Sequence, residues 1–132
     1  MRRALTASAI AALVAATGCG GGSGDLLAID VTGGPANREQ RIVVQDNGQA
    51  SCNGREQSDI GSDALIEARE IERELKDPAE NADAFMGERR RGATYVARTK
   101  DGVVRWREGA RALPEVLPRT QLFALQQSRK LC

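Results

Sequence analysis

The sequence predicts an α+β fold: an antiparallel sheet built from a lone strand and two hairpins, with two helices packed on one face, in the order β-ββ-α-ββ-α. Three observations predict it. Three stretches alternate apolar and polar residues with the period of two that a half-buried strand requires. Two others repeat apolar residues every three or four positions, the helical period. Turn signals, Asp46-Asn47-Gly48 and Asp101-Gly102, sit inside two of the alternating stretches.

Leu27, Ile29 and Val31 alternate with Ala28, Asp30 and Thr32, which predicts a strand ended by Gly33-Gly34-Pro35. Arg41 to Gly54 reads as a hairpin. A two-residue Asn-Gly turn would pair Val43 with Cys52 and split the apolar side chains between faces. A three-residue loop with Gly48 left-handed gathers Ile42, Val44, Ala50 and Cys52 on one face, and that register is preferred. Ser62 is the expected cap of a helix running from Asp63 to Asp77 and stopping before Pro78. Leu65, Ala68, Ile71 and Leu75 form its apolar stripe; Arg69, Glu72 and Lys76 lie on other faces, with Glu72 and Lys76 at the i,i+4 spacing of an ion pair. Residues 78–92 read as a long irregular connection.

The second hairpin turns at Asp101-Gly102. It places Tyr95, Ala97, Val104 and Trp106 on one face and Arg98, Lys100, Arg105 and Arg107 on the other, with Arg98 opposite Arg105. Arg111 to Cys132 closes the chain as a helix. Pro114 suits its first turn, and Pro118 marks a kink or a later start. Leu117, Thr120, Ala124, Ser128 and Leu131 make its stripe, widened by Val116, Leu122 and Phe123.

Length and composition bound the function. A chain of 132 residues holds one domain. It contains no histidine, which removes Ser-His-Asp and Cys-His nucleophile pairs and the His ligands of most zinc sites. A net charge of +1 argues against a strongly basic nucleic-acid binder. No catalytic residue, metal ligand set or cofactor motif is nominated. Gly20 to Gly24 precede no strand-to-helix junction, so no phosphate cradle is implied. Asp77, Glu80 and Asp83 lack the spacing and glycine of a calcium loop.

The first residues read as an address. Arg2 and Arg3 precede an apolar run from Ala4 to Ala16, too short for a bilayer span of about 20 residues but proportioned as a secretory signal. Ala16-Thr17-Gly18-Cys19, followed by a glycine tract, resembles a bacterial lipobox. That resemblance implies cleavage before Cys19 and acylation of its thiol. Ordinary cleavage after Ala16 is the alternative, since Val14-Ala15-Ala16 also fits a small-x-small site. The expected organisation is a signal peptide at 1–18, a Gly-rich tether at 19–25 and a single domain at 26–132. Cleavage before Cys19 leaves 17 of the 19 basic side chains against 18 acidic ones, so membrane residence would come from lipid rather than from a polybasic patch. The expected location is the extracytoplasmic face of the cell membrane, with secretion as the alternative.

If Cys19 carries lipid, Cys52 and Cys132 remain. In an oxidising exported compartment this even remainder reads as a disulfide closing a loop of about 81 residues, worth roughly 4–5 kcal/mol. Two free thiols, one of them a nucleophile, are the alternative; no activating partner for either is visible.

Gly48-Gln49-Ala50-Ser51-Cys52-Asn53-Gly54, the segment Leu65 to Leu75 and a late cysteine resemble a group of small exported actinobacterial proteins, many known only as lipoproteins. The likeness covers roughly residues 40–132 and transfers no activity. The Gly33-Gly34 turn and the hairpin–helix order more weakly resemble the small metalloprotease inhibitors called emfourins. This second likeness implies an exported protease inhibitor as the alternative function.

Two charge clusters stand out. From Arg89 to Arg111 there are eight basic and two acidic residues, whereas the first helix carries six carboxylates against three basic groups. Arg98, Lys100, Arg105 and Arg107, with Arg89 to Arg91, are the candidate face for an anionic partner: headgroups, an envelope polymer or an acidic protein surface. A solubilising sheet face balanced by the acidic helix is the plainer reading. Glu67, Glu70, Glu74 and Asp77 have helical spacing that would suit acid–base or metal chemistry, but Arg69, Arg73 and Lys76 beside them favour a solvated charged face. Tyr95 and Trp106 share a face with Ala97 and Val104, which reads as core rather than a ligand-stacking pair. The expected function is a non-catalytic, membrane-anchored binding or accessory module.

Overall fold

A computed structural model describes residues 24–88 and 91–132. The signal segment, Cys19 and most of the tether lie outside the described residues, as do Arg89 and Arg90. The expected α+β architecture is present. Its strands are β1 (Asp25–Gly33), β2 (Arg38–Gln45), β3 (Gln49–Cys52), β4 (Ser58–Asp59), β5 (Ala84–Phe85), β6 (Ala93–Thr99) and β7 (Gly102–Arg107). Its helices are α1 (Ser62–Glu74), α2 (Lys76–Glu80) and α3 (Val116–Leu131). One sheet runs in the order β4-β3-β2-β1-β6-β7-β5, antiparallel except for the β5–β7 pair.

The strand read as solitary is the middle of this sheet. It pairs with β2 on one side and β6 on the other. Leu27, Ile29 and Val31 are buried against the helices, which the alternation requires of a sheet covered on one face. Asp25 opens β1, one residue ahead of the expected domain start. Strand β2 also starts earlier than expected, at Arg38. Arg38, Glu39 and Gln40 carry no apolar signal, and their pairing with Gly33, Thr32 and Val31 makes β1–β2 a further hairpin.

The β2–β3 hairpin has the three-residue loop argued from the sequence. Ile42 pairs with Cys52 and Val44 with Ala50, and Gly48 is left-handed at φ 83°. The choice puts all four apolar side chains in the core. In the β6–β7 hairpin the inner face is as expected, but the turn lies one residue earlier, at Lys100-Asp101. Thr99 therefore pairs with Gly102, Ala97 with Val104 and Tyr95 with Trp106. Arg98 faces Val103 rather than Arg105, so the like-charge contact is avoided. Gly102 is consumed by the strand because α2 ends against it: a Cβ there would lie 2.3 Å from the Ala79 carbonyl oxygen. The Tyr95 and Trp106 rings stack at 5.3 Å between centroids, inside the core.

The helices depart from expectation at their ends. Ser62 does not cap α1 but opens it, behind Gly61. Pro78 does not stop the helical run. The chain bends at Leu75 and restarts as α2, in which Pro78 is the third residue and needs no intrahelical N–H bond. That bend also removes the expected Glu72–Lys76 pair. Lys76 turns to Glu80 at 3.9 Å, while Glu72, only 8% exposed, meets Lys100 at 3.6 Å. Part of the connection read as irregular thus forms α2 and β5. Pro118 marks the later helix start and lies in the first turn of α3. Val116, Leu117, Thr120, Phe123 and Ala124 are buried, but Leu122, expected to widen the stripe, is 55% exposed.

Cys132 follows α3 and forms a disulfide with Cys52 at the end of β3, with a Cα–Cα separation of 5.5 Å. The bridge ties the last helix to the sheet. Cys52 is fully buried, whereas Cys132 is exposed.

Candidate functional site

The helices cover one face of the sheet; the strand residues of opposite parity form the other. Period-two geometry puts Asp30 and Thr32 of β1, Glu39, Arg41 and Val43 of β2, Val96 and Arg98 of β6, and Val103, Arg105 and Arg107 of β7 on that outer face. Three of the four basic residues expected to converge, Arg98, Arg105 and Arg107, do share it. Lys100 does not. It sits in the β6–β7 turn and its ammonium is directed to Glu72 of α1.

Arg41 joins this face, because Ile42 points inward and its neighbours therefore point out. The β2 alternation carried that signal, but the residue was not singled out from the sequence. Arg41 and Arg98 flank Asp30 across two ladders and share its carboxylate, at 3.7 and 3.4 Å. Arg105 stands opposite Val96 and is exposed. Among the described residues no hydrogen bond or ion pair engages its guanidinium. Arg107 is half-buried and donates to the Met86 carbonyl at 3.3 Å. The surface is therefore basic in excess, with half-buried valines between the charges.

The helical side carries an acidic ridge on α1. Arg119 of α3 reaches three carboxylates spaced i, i+3 and i+7 on α1. Its Nε donates to Glu67 at 2.8 Å, one terminal nitrogen to Glu70 at 2.5 Å and the other to Glu74 at 2.8 Å. The Arg119 hydrogen bond to Glu67 holds that carboxyl below the usual carboxylate range, although burial opposes it. The hydrogen bonds that Arg119 donates to Glu67 and Glu70 raise the pKa of its guanidinium in turn. So these glutamates form an interhelical clamp rather than the freely solvated face expected of them. The sequence offered the acidic ridge as a clue, but nothing local pointed to Arg119, 45 residues or more away. Asp77 is not part of the clamp; it sits at the start of α2.

Among the described residues no group of three Cys, Asp or Glu side chains is disposed to hold a metal ion, and no helix is long and apolar enough to cross a membrane. No family model, curated protein or solved structure matches the chain significantly.

Proposed function

We propose that the chain is a non-catalytic, lipid-anchored module facing the extracytoplasmic side, whose uncovered sheet face meets an anionic partner. The observation that carries the binding role is the gathering of Arg41, Arg98, Arg105 and Arg107 on a face that no described element covers. Asp30 and Glu39, the carboxylates among the strand residues of this face, offset only part of that charge. The anchoring role is supported by the lipobox-like Ala16-Thr17-Gly18-Cys19. A disulfide between Cys52 and Cys132 agrees with an oxidising compartment.

Two measurements test the reading. Peptide mapping and intact mass of the native membrane protein should give a chain beginning at an acylated Cys19. An intact Met1 with reduced Cys52 and Cys132 would refute the placement. The mature protein should also associate with anionic vesicles or cell-wall polymer at low salt and release as salt rises. Each basic side chain near such a surface is worth about 1 kcal/mol, so Arg105→Ser should weaken association about fivefold. No association at low salt with either material would remove the binding role.

A further inference from the structure

The uncovered face of the sheet is not uniformly basic. The ladders sort its side chains into transverse rungs. Over β6 and β7 these are Thr94 with Arg107, Val96 with Arg105, and Arg98 with Val103. Each of them holds one arginine and one short side chain, and none holds a carboxylate. The same rungs continue across β1 and β2 as Thr32 with Glu39, Asp30 with Arg41, and Ala28 with Val43. That half carries one arginine against two carboxylates. The positive charge is therefore a strip over one hairpin, bordered by Asp30 with Glu39 beyond it. On the other side β5 adds only Ala84, beside Arg105. The Lys100-Asp101 turn at one end holds one charge of each sign, as do Arg91 and Glu108 flanking the strands at the other.

The strip also has a repeat. Alternate residues of a strand lie about 6.6–6.8 Å apart, which separates Arg105 from Arg107. Arg98 is the diagonal neighbour of Arg105 across the hairpin, at about 7–8 Å. The three arginines are thus rooted along one line with a step of about 7 Å. Arg105 is exposed, Arg107 is steadied by the Met86 carbonyl, and Arg98 lies 3.4 Å from Asp30. A line of charge selects a string of anions over a plane of them. A headgroup layer or a broad acidic surface laid on this face meets Asp30 and Glu39 together with the arginines, and repulsion offsets part of the attraction. A chain that follows the strip meets the arginines and passes the carboxylates by.

We propose that the β6–β7 strip binds a linear polyol phosphate polymer, with successive phosphates on Arg107, Arg105 and Arg98. The inference rests on the anionic-partner reading above and narrows it. Three carbons between phosphates put six chain bonds in each repeat, as many as two peptide residues have, and so give an extended repeat of about 7 Å. A guanidinium takes a phosphate through paired N–H donors. The polyol carbons rest on the half-buried Val96 and Val103, and the hydroxyls stay in water. An extended acidic peptide matches the repeat but not the surface between the charges. The backbone N–H and C=O groups of β6 lie in its ladders to β1 and β7. Amides of a peptide pressed on the valines would lose water without finding partners.

The test uses the mature protein and a synthetic glycerol phosphate hexamer at low salt, followed by two-dimensional NMR. Amide shifts should concentrate in residues 94–98 and 103–107. Affinity should fall with salt at a logarithmic slope of about −2, as for three phosphates of a single-stranded chain. Arg105→Ser should weaken the hexamer about fivefold and reduce the slope to about −1.4. An alternating Asp-Ser peptide of the same charge spacing should bind more weakly than the hexamer. Removing both carboxylates, Asp30→Asn with Glu39→Gln, should raise association with phosphatidylglycerol vesicles more than it raises hexamer affinity, since only a plane meets both. Equal shifts in residues 39–43, a tighter peptide, or vesicle association without hexamer binding would each overturn the strip and leave the anionic-partner reading standing. An equal gain for vesicles and hexamer would do the same, because the face would then act as a plane. No association with hexamer, peptide or vesicles would remove both.

Discussion

Loss of the Cys52–Cys132 bridge should remove a large share of the stability. The informative variant is Cys132→Ser, because Cys132 is exposed and the substitution opens no cavity around buried Cys52. The cysteines are 80 positions apart. Chain-entropy reasoning puts the stabilisation from closing such a loop at about 4.5 kcal/mol. Domains of this size are stable by only about 5–15 kcal/mol. With a urea slope of about 1–3 kcal/mol per molar, the midpoint should fall by roughly 2–4 M. Trp106 is the only tryptophan, fully buried and stacked on Tyr95, so its fluorescence reports global unfolding. Wild-type protein under reducing conditions should match the variant. A midpoint that does not move, or wild-type protein whose Cys52 and Cys132 peptides both take up a thiol reagent, would refute the reasoning.

The interhelical clamp and the α2 contact are equally open to test. Arg119→Met should cost about 1–2 kcal/mol at neutral pH, a modest figure because the carboxylates are partly exposed, and less in high salt. Since Glu67 titrates below its ordinary value of 4.5 in the folded protein, its contribution is full above that value. It drains as pH falls through the lower folded value, so urea midpoints of wild type and variant should converge in acid. Gly102→Ala sets a Cβ against the Ala79 carbonyl at a φ of 143°, and should cost about 1–3 kcal/mol by thermal or urea denaturation. A neutral Gly102→Ala would mean that α2 does not dock on the β7 backbone.

What could be read in advance was whatever a short window decides. The register of β2–β3 follows from where Ile42, Val44, Ala50 and Cys52 must go, and the three-residue loop is the only one of the two that sends them together. The stripe of α1 and the inner faces of β6 and β7 are set by the same local periodicities. What escaped depends on partners distant in sequence. Arg38 to Gln40 look like loop because their pairing comes from β1, not from alternation of their own. Gly102 looks like a turn residue until α2 occupies its Cβ position. Of the basic candidates, Arg98, Arg105 and Arg107 were placed by parity alone. Lys100 was misplaced because the turn shifted it to Glu72, and the Arg119 clamp needed two helices to be brought side by side.

Strand β1 begins the described fold and also runs through the centre of its sheet. A pull through the chain ahead of Asp25 acts along that strand. It drags eight paired positions past β2 and six past β6 at the same time. Such shear makes the ladders yield together, where a terminal edge strand would unzip one pair at a time. Force applied at the exposed Arg105 of β7 would thus reach Asp25 through β6 and the paired ladders of β1.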